Sequence, residues 1–364
     1  MEQTSQREIR AIDPTWTLAE IMTRLAKALV GEGPAMALSS ISSSRIASAI
    51  ALVVSTSGTT SSAKEVGLST EAILTSAKAT NNYLGAAPGQ IWSLLLPLTH
   101  IAGVNVLVRS LELGTTPLDL RKHEGKYPHA DFTAVVPTQL FRALNGDNEL
   151  LEHLKSAKSV LVGGAAVDTQ LREQANIAGI KVIESYGMTE TCGGCVYDGN
   201  PLPGTKILIS DSDLIRISTG SLATTYLNDP QGWDHLVEDG YFQTSDTGEF
   251  HDGKLIVTGR SDDVIITGGE NISLSAVEKV IRDVFTGVEC AAFAVNDSQW
   301  GQSLHLAIAG SVQPDQLAIN ESLSSQISKA AKVKRFIIVD KLPRTSLDKI
   351  DRQKLVEIAL GDTR

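Results

Sequence analysis

From Val53 to Lys64 the chain reads Val-Val-Ser-Thr-Ser-Gly-Thr-Thr-Ser-Ser-Ala-Lys. A mainly apolar run beginning at Ile46 breaks there into small hydroxyl and glycine residues, and a lysine follows. Backbone N–H groups, hydroxyls and one cation, with no bulky side chain between them, are the means of surrounding phosphate oxygens. The spacing is not the Walker pattern, G-x-x-x-x-G-K-[ST], so this is not the usual nucleotide-hydrolase loop, and a solvated Ser/Thr linker would share its composition. Cys192-Gly193-Gly194-Cys195 raises a second chemistry, a redox dithiol or part of a metal site. One such pair supplies two thiolates where zinc takes four ligands, and no second pair stands ready to complete it. Two small residues in a glycine-rich turn are the preferred reading of that motif.

The elements that must position these groups alternate. From Pro88 to Gly187 the pattern predicts a strand at 91–96, a helix at 104–113, a strand at 132–136 ended by Pro137 and a helix at 138–144. A strand at 159–162, a helix at 169–178 capped by Asp168 and a strand at 181–184 follow. Such alternation implies crossover units and a largely parallel sheet, with ligands beyond the carboxyl ends of its strands. Short β-type runs punctuated by Gly and Asp fill 201–259, and a compact α+β pattern follows Arg260. The expected boundary therefore divides a large domain, 1–260, from a small one, 261–364.

Four more stretches carry reactive side chains: Ser185-Tyr186-Gly187-Met188-Thr189-Glu190, Tyr241 to Gly248 around Asp246, Val257 to Ile272, and Leu342 to Arg352. Each is weak alone, since isolated short motifs recur by chance. In this order, together with the opening loop, they resemble the acyl-adenylate-forming superfamily of acyl- and aryl-CoA ligases, peptide-synthetase adenylation domains and firefly luciferase. The likeness runs from about Val53 to Arg352.

The resemblance implies an α/β fold: a large N-terminal adenylating domain with a mostly parallel sheet, and a smaller α+β C-terminal domain on a hinge. It implies that Thr56, Ser57, Gly58, Thr59, Thr60, Lys64 and Thr189 meet the phosphates of ATP, and that Glu190 holds Mg²⁺. Gly163, Gly164 and Ala165 would lie along adenine, with Ser185, Tyr186 and Gly187 closing the base pocket. Asp246 would take the ribose hydroxyls, supported by Arg260. Lys349 would reach the reacting carboxylate, and His100, in Pro97 to Gly103, would position the acyl group and gate its pocket rather than move a proton. Met188 and Gly194 would line the acyl site. Asp262 would be the hinge, and Gly268, Gly269 and Glu270 would meet CoA, although Gly-Gly also marks plain hairpins. ATP and CoA are the implied co-substrates.

The chain departs from the family pattern in three places. Ser61, Ser62 and Ala63 precede Lys64 where the family has Gly-x-Pro, Ser245 replaces the glycine before Asp246, and Asp348 replaces the glycine before Lys349. An aspartate beside Lys349 would raise that lysine's pKa or divert its charge. The run from Ser185 through Gly204 and the short stretch ahead of the phosphate loop resemble the actinobacterial-type o-succinylbenzoate–CoA ligases of menaquinone biosynthesis. That substrate has a second carboxylate, for which Arg109 is the candidate partner; the competing reading of Arg109 is a solvated helix arginine. Two further readings remain open: a CoA ligase for another aryl or medium-chain acid, and a nucleotide-binding module without chemistry.

The composition agrees with a globular enzyme. The 364 residues are 42% hydrophobic and 20% charged, enough for about two domains. A net charge of −10 argues against nucleic acid or an anionic membrane as main partner. The start is polar, without a secretory pattern, and apolar runs fall short of the ~18 residues of a membrane span, so a cytoplasmic location is expected. Three cysteines make no disulfide framework.

Overall fold

The computed structural model describes residues 5–56, 63–285, 287–297, 299–310, 314–344 and 350–361. The chain divides into two compact units. One comprises Met1–Leu208, Arg216–Gln243 and Phe250–Ile256; the other comprises Ile209–Ile215, Thr244–Glu249 and Val257–Arg364. Each is described by itself.

The first unit opens with β1 (Gln6–Ala11), α1 (Leu18–Leu29), β2 (Ala35–Ala37), β3 (Arg45–Ala47), β4 (Ile50–Thr56), β5 (Lys64–Ser69) and α2 (Thr70–Tyr83). Thr17 and Glu20 form a reciprocal capping box that starts α1, and Ser69 caps α2 by accepting from the Ala72 amide at 3.1 Å. β4 and β5 pair antiparallel with Thr56 opposite Lys64, which brings the two described ends of the Val53–Lys64 stretch together. Both strands are anchored in the core, β4 through Ile50 to Val54 and β5 through Val66 and Leu68, while Thr56 and Lys64 at their ends are half-buried.

A second sheet follows from β6 (Trp92–Leu94), α3 (Ile101–Glu112), β7 (Leu118–Asp119), β8 (Phe132–Val135), α4 (Pro137–Leu144), α5 (Asn148–Ser156), β9 (Ser159–Gly163), α6 (Thr169–Ile177), β10 (Val182–Met188), β11 (Gly193–Tyr197) and β12 (Asn200–Pro201). Its order is β12-β11-β10-β9-β8-β6-β7, parallel from β7 through β10 and antiparallel beyond. The expected α/β architecture is present, and Asp168 caps α6 at 2.8 Å as read from sequence. The helix after the first of these strands begins at Ile101 rather than 104, with His100 as its N-cap. His100 is thus at a helix start.

β13 (Lys206–Ile209), β14 (Leu214–Ser218), β15 (Thr225–Tyr226), α7 (Pro230–Leu236), β16 (Val237–Glu238), β17 (Tyr241–His251) and β18 (Lys254–Arg260) come next. β13, β14, β17 and β18 each hold residues of both units, so no single cut in the sequence separates them. β15 instead pairs with β5, setting Tyr226 opposite Val66.

The remainder of the second unit is β19 (Val264–Thr267), β20 (Glu270–Ser273), α8 (Leu274–Val284), β21 (Glu289–Asp297), β22 (Gly301–Ala309), α9 (Gln316–Gln326), β23 (Arg335–Val339) and α10 (Arg352–Gly361). The sheet order is β20-β19-β22-β21, with β23 parallel to β22. Among the described residues no helix is long and apolar enough to cross a membrane.

Candidate active site

Neighbouring strands assemble the stretches expected around the base. β9 and β10 are parallel with Ser185 opposite Gly163, so the loop from Gly163 to Ala165 leaves the end of β9 beside the stretch Ser185–Gly187 of β10. β10 then turns through the short helix Thr189–Thr191 into β11, and Gly187 faces Gly194 across that hairpin. Gly187 is required there, because a Cβ would fall 2.1 Å from the Gly193 carbonyl oxygen. Met188 closes β10, and Thr189 and Glu190 sit in the turn itself.

The same turn explains the cysteines. Cys192 has φ 54° at the end of the short helix, and its carbonyl accepts hydrogen bonds from Ser76 Oγ and Asn105 Nδ2, both at 2.8 Å. Burial pushes the thiols of Cys192 and Cys195 up to about 12. Both stay protonated at neutral pH and serve the turn, in line with the preferred reading.

A charged cluster lies where β5 meets this turn. Lys64 Nζ donates to the Tyr226 hydroxyl at 3.4 Å and lies 4.5 Å from the centre of that ring. The Tyr226 hydroxyl donates in turn to Glu190 Oε1 at 2.9 Å. The tyrosine is 1% exposed and packs edge-on against Trp233, which stacks on Phe242. Sequence reasoning missed Tyr226, which lies far from both of its charged partners in the chain. Its only signal was an aromatic residue after the small-residue run Ala223-Thr224-Thr225. Among the described residues no three His, Cys, Asp or Glu side chains gather into a metal cage. Glu190 offers one hard carboxylate, and Mg²⁺ is commonly bound by one or two carboxylates plus phosphate oxygens and water, so the donor set fits. Ser57, Gly58, Thr59 and Thr60 lie outside the described residues.

Arg109 is not the solvated helix arginine of the competing reading. It is 4% exposed, on the inward face of α3, with its guanidinium 5.1 Å from the Trp92 ring. Its Nε is buried without a hydrogen-bond partner, and no carboxylate among the described residues pairs with it. Burial lowers its pKa, opposed by the nearby Tyr197 and Cys192 groups. A single arginine letter inside an apolar helix could not reveal this; only the packing of the helix could.

The second unit holds the other named residues. Asp246, 7% exposed, accepts from Arg260 Nη1 at 2.9 Å, and the Thr244 hydroxyl orders the turn by accepting from the Asp246 amide at 3.0 Å. Arg260 also grips Asp262 with two bonds, Nε to Oδ1 at 2.7 Å and Nη2 to Oδ2 at 2.6 Å. Those bonds, with the charges of Asp246, Asp262 and Asp263, raise the arginine's pKa despite burial. Gly268 and Gly269, at φ 60° and 84°, form the two-residue loop of the β19–β20 hairpin, the geometry only glycine adopts freely. Glu270 accepts from Ser328 Oγ at 2.6 Å, and the half-exposed Trp300 indole lies against Gly268. Lys349 lies outside the described residues.

Residues 12–215 match the family described as AMP-binding enzyme. The chain belongs to that family. This bears out the resemblance to adenylate-forming enzymes. The family member described here is 35% identical over 331 residues to the probable 2-succinylbenzoate–CoA ligase of Mycobacterium tuberculosis, covering 86% of this chain and 85% of that one. It is 30% identical over 338 residues to the 2-succinylbenzoate–CoA ligase of Staphylococcus epidermidis, covering 84% and 69%. Its fold is similar to that of o-succinylbenzoate CoA synthetase from Bacillus subtilis, solved with its acyl-adenylate intermediate, at a TM-score of 0.72 and 22% identity over 95% of this chain and 82% of that one.

Proposed function

We propose that this AMP-binding enzyme activates 2-succinylbenzoate with ATP and passes the acyl group to CoA, releasing pyrophosphate and AMP, a reaction of menaquinone biosynthesis in the cytoplasm. The relatives' names support the reaction. Arg109 carries the substrate. A buried cation with no counter-charge among the described residues is costly unless something brings one, and a planar fork suits a carboxylate. 2-Succinylbenzoate has two carboxylates; one reacts, and the other answers Arg109.

In the first half-reaction a carboxylate oxygen attacks the α-phosphorus of ATP and the bond to pyrophosphate breaks. The protein's part is positioning and charge compensation. Thr56, Ser57, Gly58, Thr59, Thr60, Lys64 and Thr189 surround the phosphates in this reading. Gly163–Ala165 and Ser185–Gly187 hold adenine, while Asp246, steadied by Arg260, takes the ribose hydroxyls. Mg²⁺, held by Glu190 with phosphate oxygens, would neutralise charge on the pyrophosphate. Lys349 supplies a point cation to the reacting oxygens. His100, Met188 and Gly194 shape the acyl site. In the second half-reaction the small domain turns at Asp262, and the hairpin Gly268–Gly269 with Glu270 admits the pantetheine arm, whose thiol sulfur attacks the acyl carbon and displaces AMP. Trp300, lying on Gly268, offers that arm an apolar wall.

Pyrophosphate release tests the reading. 2-Succinylbenzoate should exceed 4-phenyl-4-oxobutyrate, the same keto acid without the ring carboxylate, by ~10²-fold or more in kcat/KM, as expected when a buried polar partner is stranded. Arg109→Ala should shrink that gap by slowing the dicarboxylate alone. Equal rates for the two acids, or turnover confined to benzoates or fatty acids, would remove the substrate assignment.

A further inference from the structure

Lys64 and Glu190 carry opposite charges on either side of one phenol. The Tyr226 hydroxyl accepts from the first at 3.4 Å and donates to the second at 2.9 Å. We propose that Tyr226 is a positioning residue whose hydroxyl stands between Lys64 and Glu190 and keeps them from closing into an ion pair, so that both stay available to the phosphates and metal of magnesium-ATP. This rests on the reading of Lys64 and Glu190 as phosphate and metal ligands.

The tyrosine cannot step aside. Its backbone is pinned in the β5–β15 pairing opposite Val66, and its ring is held edge-on by Trp233 at 5.0 Å between centres. The hydroxyl occupies only Oε1, and Oε2 makes no hydrogen bond to any described residue. A carboxylate with one oxygen held and one free is oriented for a cation arriving with its own ligands. Without the hydroxyl, a lysine and a glutamate in a half-buried cleft would attract each other strongly and each would be lost to the nucleotide.

Equilibrium binding of ATP, measured by calorimetry without any acyl substrate, tests this apart from turnover. Tyr226→Phe keeps the ring and its packing, so its ligand-free unfolding temperature should not fall. Its ATP affinity should drop roughly tenfold or more, the scale of hydrogen bonds to charged groups, both with and without Mg²⁺. The Mg²⁺ concentration for half-saturation in the presence of ATP should rise. Adding Lys64→Met to Tyr226→Phe should bring that concentration back to the value for Lys64→Met alone, because the trapping cation is gone. ATP binding unchanged in Tyr226→Phe, or Mg²⁺ binding weakened equally with and without Lys64, would overturn the spacer role and leave only packing. If Lys64→Met and Glu190→Gln each bind magnesium-ATP like the unmodified enzyme, the phosphate-and-metal reading itself falls, and the proposal with it.

Discussion

Arg109 and Arg260 make a direct contrast. Arg260 has a half-exposed side chain and holds two carboxylates, Asp246 and Asp262, through three short bonds. Arg109 is sealed inside the first unit and holds none among the described residues. The fold supplies the counter-charges of the first and, among the described residues, none for the second. A charge satisfied by its own chain orders a segment. A charge left dry and unpaired costs stability until a ligand pairs with it, which is how a specificity site is recognised without a ligand present.

A third cation, Lys349, tests the chemistry that both arginines are read as serving, and the largest effect is expected there. Lys349→Ala should cut acyl-adenylate synthesis by ~10²-fold or more, the scale of removing a charge aimed at developing negative charge. Supplied with ready-made acyl-adenylate and CoA, the variant should still form the thioester. Equal loss in both half-reactions would place Lys349 outside the adenylation step.

The contrast between the arginines predicts stability changes of opposite sign. Arg109→Met should stabilise the ligand-free enzyme by about 1–3 kcal/mol, since it removes an uncompensated buried charge and keeps most of the volume. Lost stacking on Trp92 offsets part of that gain, by about 0.5–2 kcal/mol. Arg260→Met should destabilise by about 1–3 kcal/mol, because it removes the ion pair to the nearly buried Asp246 carboxylate and both bonds to Asp262. Chemical denaturation of the two variants decides it. Two changes of the same sign would mean that Arg109 is satisfied within the protein after all.

Parts of this contrast were legible in the sequence and parts were not. The strand–helix rhythm of 88–187 placed the second sheet and the loops at its carboxyl end, because buried parallel strands read as apolar runs closed by Gly or Pro. α2 left no such trace: its buried face includes Ser76, Thr80 and Asn81, so an apolar stripe at helical period is missing. The start of α3 was read three residues late, since His100 makes no side-chain cap hydrogen bond to announce it. Asp246, Arg260 and Glu190 could be named from ordered motifs, which record chemistry. Tyr226 could not, because its role arises from a pairing between β5 and β15 across 162 residues from Lys64. Arg109 could be named but not weighed, as burial depends on what packs against the helix. Asp348, beside Lys349, lies outside the described residues.

The smallest effect is expected where a reactive-looking motif serves only packing. Cys192 and Cys195 are buried with thiols near 12, so at pH 7.5 the thiolate fraction of each is on the order of one in 10⁴. Iodoacetamide should label neither in the folded enzyme and both after unfolding, and Cys195→Ala should keep turnover within about twofold, as volume-reducing changes of this size seldom reach a site's chemistry. Their linkage to pH has a definite sign. An unfolded thiol ionises near 8.5 and the folded ones near 12, so the fold's advantage is complete below roughly pH 8.5 and is lost as pH rises through 12. Denaturation midpoints should therefore fall between roughly pH 9 and 11 in the unmodified enzyme, and fall less in Cys195→Ala, which has one buried thiol fewer in the turn. Rapid labelling at neutral pH, or loss of turnover on labelling, would return the dithiol to the list of working groups.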